Sequence, residues 1–421
     1  MRRLTVVASV ALALAASVAG PAAQAENAVL YASVGPELTQ YSIDVDHATL
    51  TKGRTVRLPA NVQEAAWHPS APYVYVGWSS TGASYGDQGG AAGAAPRHGV
   101  TAFRVDVVSG SLAPHGSVAP LRARPIHLTT DRNGRHLLVA YNLPSGVTVH
   151  RVQPDGTIGA EVEQSNALDG GIYGHHVRVA PSNRAVVLVT RGNAPAATTP
   201  EDPGALKVFS FADGVLSNRA SIAPGGGYGF QARHIDFHPS RPWAYLTLER
   251  QNQIAVFGIV NDSLSPAPLF VKTTLAEPGN VRSAQTTSTI RVHPNGRFVY
   301  VGNRASGTTE FQGTRIAAGG ENTIAVFEIE QGTGEPRLVQ TIDTRGFQPR
   351  TFALDASGRV LVVGNQSPLA VKDERGVRTV PASLSTFRIG ADGQLAFVRT
   401  YEVETRPDAG RLLFWMGIAP R

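Results

Sequence analysis

Residues 288–307 read STIRVHPNGRFVYVGNRASG. Apolar side chains alternate at Ile290 and Val292, a Pro-Asn-Gly turn follows, and a β-branched and aromatic run returns from Phe298 to Val301. Alternation, turn and return strand spell a β-hairpin. The pattern recurs at 175–193 (HHVRVAPSNRAVVLVTRGN), 233–252 (RHIDFHPSRPWAYLTLERQN) and 350–368 (RTFALDASGRVLVVGNQSP). Two earlier copies stand at 64–80 (EAAWHPSAPYVYVGWSS) and 127–142 (HLTTDRNGRHLLVAYN). Further strand-like runs follow the hairpins, among them GALKVFSF, IAVFGI, TIAVFEI and SLSTFRIG. A four-stranded antiparallel unit repeated at this period is a propeller blade.

The first turn residue of each copy marks six blades: Pro69, Arg132, Pro181, Pro239, Pro294 and Ala356. A seventh is split between the ends of the chain. Residues 412–419 (LLFWMGIA) fit another first strand, with Pro420 at the marker, and residues 28–34, LTQYSI and TKGRTVRLP supply the rest. Sharing one blade between the termini closes the ring without a free sheet edge. The expected fold is therefore all-β, a seven-bladed propeller over residues 26–421 closed by N- and C-terminal strands.

Residues 1–25 read as a secretory leader: Arg2 and Arg3, an apolar run, then Ala23-Gln24-Ala25 as the cleavage site. The mature chain is expected to start at Glu26 in a periplasm or the medium, with no membrane contact after cleavage. Loss of Arg2 and Arg3 takes the formal charge from +6 to +4. That mild excess, with no lysine-rich run or basic helix, argues against nucleic acid as partner. The chain has no cysteine, which excludes disulfides, thiolate metal sites and covalent haem. A monomer is expected.

Strand one and strand two of a blade run in opposite directions, so the start of one and the end of the other share a face. Six residues before the marker stand Gln63, Ile126, His175, Arg233, Ser288, Arg350 and, in the split blade, Phe414. Ten residues after it stand Ser79, Asn142, Arg191, Glu249, Arg304 and Gln366. His175, Arg191, Arg233, Glu249, Arg304 and Arg350 should converge near the central channel. Long insertions at 80–98, 192–204, 305–321 and 366–381 follow strand two on that same face, as insertions bordering a binding face do. The Gly-rich segment 80–98 reads either as a cover or as a solvated loop.

His175 is the only histidine in its column, and imidazole suits general-base work. Guanidinium groups bind carboxylate or phosphate bidentately, so several around one mouth imply an anionic substrate. The plainer alternative is a set of ion pairs, such as Glu249 with Arg233. Glu249 is the one acidic residue in either column, too few for a calcium site, and the histidine–carboxylate cluster of a catalytic zinc is missing. No metal or other cofactor is expected. His68, His238 and His293 precede the marker and read as turn residues satisfying local backbone groups. His127, His176 and His234 follow the first column, and alternation packs them between blades, with His234 also able to support the site.

These residues carry a resemblance. Gly174 to Pro181 reads G-H-x-V-x-x-x-P, Arg233 to Pro239 reads R-H-x-x-F-H-P, and Glu249 ends the next strand. Ile290 to Arg304 and Gln348-Pro349-Arg350 continue the match. The chain resembles the seven-bladed propeller lactonases, related to bacterial 6-phosphogluconolactonase and to the fungal carboxy-muconate cyclising enzyme. The resemblance spans essentially the whole mature chain. It implies an active-site set of His175, Arg233, Glu249 and Arg304. The columns add Arg350 and Arg191, and the position beside them His234, as expected substrate-binding residues. It implies metal-independent hydrolysis of an anionic or sugar-derived lactone. The alternatives are closure of a muconate-type diacid to a lactone, and an exported propeller that binds a ligand or protein without catalysis. The leader and the long insertions depart from the family pattern.

Overall fold

The computed structural model describes residues 27–81 and 95–420. The leader at 1–25 and most of the Gly-rich segment 80–98 lie outside the described residues. Six blades open with the inner strands Asn61–Trp67, Pro125–Thr130, Gly174–Val179, Ala232–Phe237, Gln285–Val292 and Pro349–Leu354, here blades one to six; each has four strands except blades one and four, where two short strands share the outer position. The seventh, the seam blade, is assembled from both ends. Its inner strand Leu413–Ile418 pairs with Asn27–Val34, in the register Leu30↔Ile418 and Ala32↔Met416. Glu37–Asp44 and Thr49–Arg57 complete it.

Core packing follows from this count. Both faces of each sheet must be buried, so apolar residues gather between neighbouring blades rather than at one centre. Seven apolar clusters result, one at each interface around the ring. Val177 and Val186 of blade three meet Leu138 and Val149 of blade two, and Ile290 and Val301 of blade five meet Tyr245 and Val256 of blade four. At the seam, Leu30, Leu413 and Met416 pack on Val360 and Val362 of blade six.

The histidines before the marker are structural, and their reach is longer than a local turn. His238 Nδ1 accepts Ser240 N and Arg241 N at 3.2 and 2.9 Å, while its Nε2 lies 2.8 Å from the carbonyl of Gly296 in the next blade's turn. His293 makes the equivalent contact to Gly358 O, at 2.9 Å. Gly296 has φ 71°, and a Cβ there would stand 2.6 Å from the His238 ring. Glycine is thus required twice over, by the left-handed turn and by the neighbouring imidazole. Asp131 and Asp355 hold the same column differently: each folds onto backbone N–H groups of its own turn.

One element lies outside the seven blades. The insertions of blades five and six form hairpins, Thr308–Phe311 with Thr314–Ala317 and Leu369–Asp373 with Gly376–Val380. A parallel bridge, Ile316↔Ala370, joins them into one small sheet. Sequence reading treats these segments as loops, because their short polar strands lack an apolar face.

Candidate active site at the channel mouth

Each inner strand of blades one to six carries a register shift at the first-column residue. In blade three Gly174 pairs with Thr190 and His176 with Val189, leaving His175 as the extra residue. Equivalent shifts fall at Gln63, Ile126, Arg350 and, one residue longer, at Arg233–His234 and Ser288–Thr289. A bulge re-aims side chains and recurs near active sites. Here it breaks the alternation that would send neighbouring residues to opposite sides. The ring of His234 consequently lies 5.3 Å from that of His175, although the two occupy adjacent columns. His234 stacks on His176 at 4.4 Å, and the His176 ring meets that of His127 at 3.8 Å, tilted by 46°. The three imidazoles do touch across blades two, three and four, as expected. They also continue the His175 site inward, which simple alternation does not predict.

Glu249 is the centre of the mouth. It directly follows the second strand of blade four, Trp243–Leu248, and is 5% exposed. Its Oε1 accepts Arg233 Nε at 3.1 Å and Arg304 Nη2 at 2.5 Å, and its Oε2 accepts Arg191 Nη1 at 3.1 Å. Three blades thus contribute a guanidinium to one carboxylate. Burial raises the Glu249 pKa, but Arg304, Arg233 and Arg191 outweigh it and hold the carboxyl at about 2. Arg233 is 1% exposed and keeps a buried Nη1 without a partner. The Arg304 fork is braced by Nε to Thr286 Oγ1, at 3.1 Å. The Arg191 guanidinium lies 4.1 Å from the Tyr173 ring centroid, and Tyr173 adjoins His175.

His175 is buried, and its Nδ1 has no hydrogen-bond partner. Burial pulls its pKa well below the ordinary value, and Arg233, Arg191, Arg350 and Arg304 pull it further. The imidazole is therefore neutral at physiological pH and has a lone pair to offer. Among the described residues no group of histidine and carboxylate side chains is placed to hold a metal ion. The imidazoles stack instead of converging.

Arg350 stands apart from Glu249. Its Nε donates to Phe414 O at 3.3 Å and its guanidinium lies 4.0 Å from the Phe414 ring centroid. Burial first, then Arg304 and Arg124, bring its pKa down to about 9. Arg124 approaches the same ring from 5.9 Å and donates through Nε to Gln63 Oε1 at 2.6 Å. Column comparison misses Arg124 because it precedes its strand; the basic pair around R-A-R-P, residues 122–125, is the available signal. Asn142, a member of the second column not singled out from sequence, is buried with an unpartnered Nδ2. Ser288 is structural, since its hydroxyl donates to Pro349 O of blade six.

Residues 28–372 match the family model for the seven-bladed β-propeller lactonases. The chain belongs to this family. A 6-phosphogluconolactonase of Bacillus subtilis is 30% identical over 277 residues, covering 64% of this chain and 70% of the relative. One from Pectobacterium carotovorum is 27% identical over 320 residues, covering 75% and 81%. Among solved structures, a periplasmic gluconolactonase of Pseudomonas aeruginosa superposes with a TM-score of 0.65 at 21% identity, covering 90% of this chain and 97% of that one. At that identity the likeness shows the fold alone, and the family model describes the same seven-bladed propeller.

Proposed function

We propose that the protein hydrolyses an anionic or sugar-derived lactone at the mouth formed by His175, Arg233, Glu249 and Arg304, without a metal ion. The observation that carries this reading is three arginines from three blades gathered on one buried carboxylate beside a neutral imidazole. Relatives named 6-phosphogluconolactonase support lactone as the substrate class.

His175 takes a proton from water as the water oxygen attacks the lactone carbonyl carbon. The carbonyl electrons move onto oxygen, and Arg304 and Arg233 stabilise the oxyanion, an effect of about 3–4 kcal/mol per well-placed donor. Collapse breaks the ring C–O bond, and protonated His175 returns its proton to the leaving alkoxide, giving the hydroxy acid. Glu249, held at about 2, stays anionic throughout and orients the arginines instead of relaying protons. Arg350 and Arg191 anchor the substrate's own anionic group, and His234 supports the His175 ring. A neutral imidazole in this field favours the base of hydrolysis over the proton donor that cyclisation of a diacid needs.

Export fits the same reading. The leader at residues 1–25 would deliver the propeller of 26–421 to the periplasm or the medium, and no helix among the described residues is long and apolar enough to cross a membrane. The substrate is then a lactone met outside the cytoplasm, and a small molecule is the only partner the mouth requires.

Acid release from glucono-, 6-phosphoglucono- and muconolactones, measured for the wild type and His175→Ala with and without chelator, tests the proposal. Chelator-resistant hydrolysis lost in His175→Ala is expected. No hydrolysis above the spontaneous rate for any lactone would overturn it.

A further inference from the structure

The channel has a second mouth, on the face of the marker turns. A cavity of about 490 Å³ opens there, lined by turn residues of five blades, from Pro69 round to Pro420. Only a space on the ring axis can touch so many blades at once. Arg132, Arg178 and Arg291 face it, with Glu64, His127 and Trp415. Arg178 and Arg291 sit three residues before their markers, and His175 and Arg350 six. That difference is about 10 Å of strand rise, so the two sets of arginines serve different ends of the channel.

The charges at this second mouth are not balanced. Arg178 Nη2 is paired with Asp236 Oδ1 at 2.7 Å, and Asp236 Oδ2 is already engaged by Val292 N at 3.0 Å. Arg291 makes one hydrogen bond among the described residues, to the carbonyl of Ile290 at 3.0 Å. The Arg132 side chain makes none among them. Two further carboxyls line the cavity, Asp355 and Glu64. Asp355 is taken up by the backbone N–H groups of Ser357, Arg359 and Val360 in its own turn, and burial pushes Glu64 up to about 7 against the pull of Arg291. A guanidinium carries five donors in a fixed fork suited to oxyanions. Two such forks on one cavity, each with donors that no carboxylate takes up, have the chemistry of an anion site.

We propose that the marker-side mouth is a second binding site, for a small oxyanion with at least two charges, of phosphate or dicarboxylate size, held by Arg132 and Arg291. This site is independent of the lactone reading of the other mouth. Its occupant sits on the axis beside His127, the innermost imidazole of the stack that leads up to His175.

Calorimetric titration with inorganic phosphate and with malonate tests it, using wild type, Arg132→Gln and Arg291→Gln, each also in an Arg350→Gln background to weaken the other mouth. Arg132→Gln should weaken binding about tenfold in both backgrounds, the loss of one charge-assisted pair, with lactone kcat/KM unchanged. Arg132 is exposed, so its variant should fold even if Arg291→Gln does not. Binding that ignores Arg132→Gln and disappears with Arg350→Gln would place the anion at the catalytic mouth and overturn the proposal. So would the absence of binding of either anion at millimolar concentration. Neither result touches the hydrolysis assay.

Discussion

Arg304 Nη2 and Arg233 Nε meet on the same oxygen of Glu249, at 2.5 and 3.1 Å. The carboxylate between the two guanidinium groups offsets their mutual repulsion, and in this buried setting both the attraction and the cost of removing it are large. The geometry fixes both forks before substrate arrives. Glu249→Gln should therefore cost both stability and turnover: about 3–5 kcal/mol of folding free energy, as for other buried pairs broken on one side. Urea denaturation and kcat of the variant check this. Arg304→Lys keeps the charge and loses the fork, so it should lower kcat about 100-fold with little change in the urea midpoint.

His175→Ala removes a buried imidazole whose Nδ1 has no partner. Folding stability should change little, while kcat falls at least about 100-fold, the usual worth of a general base. The pH profile gives a sharper reading. Because burial and four arginines depress His175, the acid limb of wild-type kcat/KM should fall well below pH 6.5. A limb centred at 6.5 or above would remove His175 from the base role.

The imidazole stack makes a separate prediction about acid stability. Burial depresses His127, His175, His176 and His234 well below 6.5 in the folded protein. The unfolded chain therefore binds more protons than the native state once pH drops below about 6.5. Stability contributed by these four is full above that pH and is lost as pH falls toward the native pKa values. Glu249 adds a further loss between 4.5 and about 2. Glu64 acts in the opposite sense: its raised pKa means stability lost as pH rises from 4.5 through about 7. Urea unfolding at pH 5.0 should show a lower midpoint than at pH 7.5, and Glu64→Gln should raise the midpoint at pH 8 more than at pH 5. A pH-independent midpoint would contradict the buried neutral state of the stack.

Gly296→Ala should destabilise the protein by about 2 kcal/mol or more, from the left-handed backbone and the clash with His238 together. Adding His238→Ala should return part of that loss, since the two residues share one contact. Thermal melts of both singles and the double close the cycle. Strict additivity would mean that the imidazole is not what the new Cβ meets.

Blade number, seam and channel mouth were legible because Pro/Gly turns and apolar alternation repeat within one chain. Val177 and Val179 announce the inner strand of blade three, and Glu249 stands out as the one acid in two columns. The bulge at His175 left no such trace. Alternation below it is regular, and an extra residue at a strand's upper end changes direction without changing composition. For the same reason the contact of His234 with His175 was invisible, and Arg124, lying before its strand, fell outside the comparison. The cluster of Arg132, Arg178 and Arg291 escaped because each sits in a different blade and becomes one feature only when the ring closes.

Phe414 lies on the strand Leu413–Ile418, and its carbonyl and ring hold Arg350. During synthesis this strand leaves the ribosome after the other strands of the ring. Blades one to six can form as the chain emerges, but the seam stays open and Arg350 lacks its seat until this strand arrives. Ring closure and completion of the candidate mouth are thus one event, so a chain cut before Leu413 would lose the seat of Arg350 along with its ring.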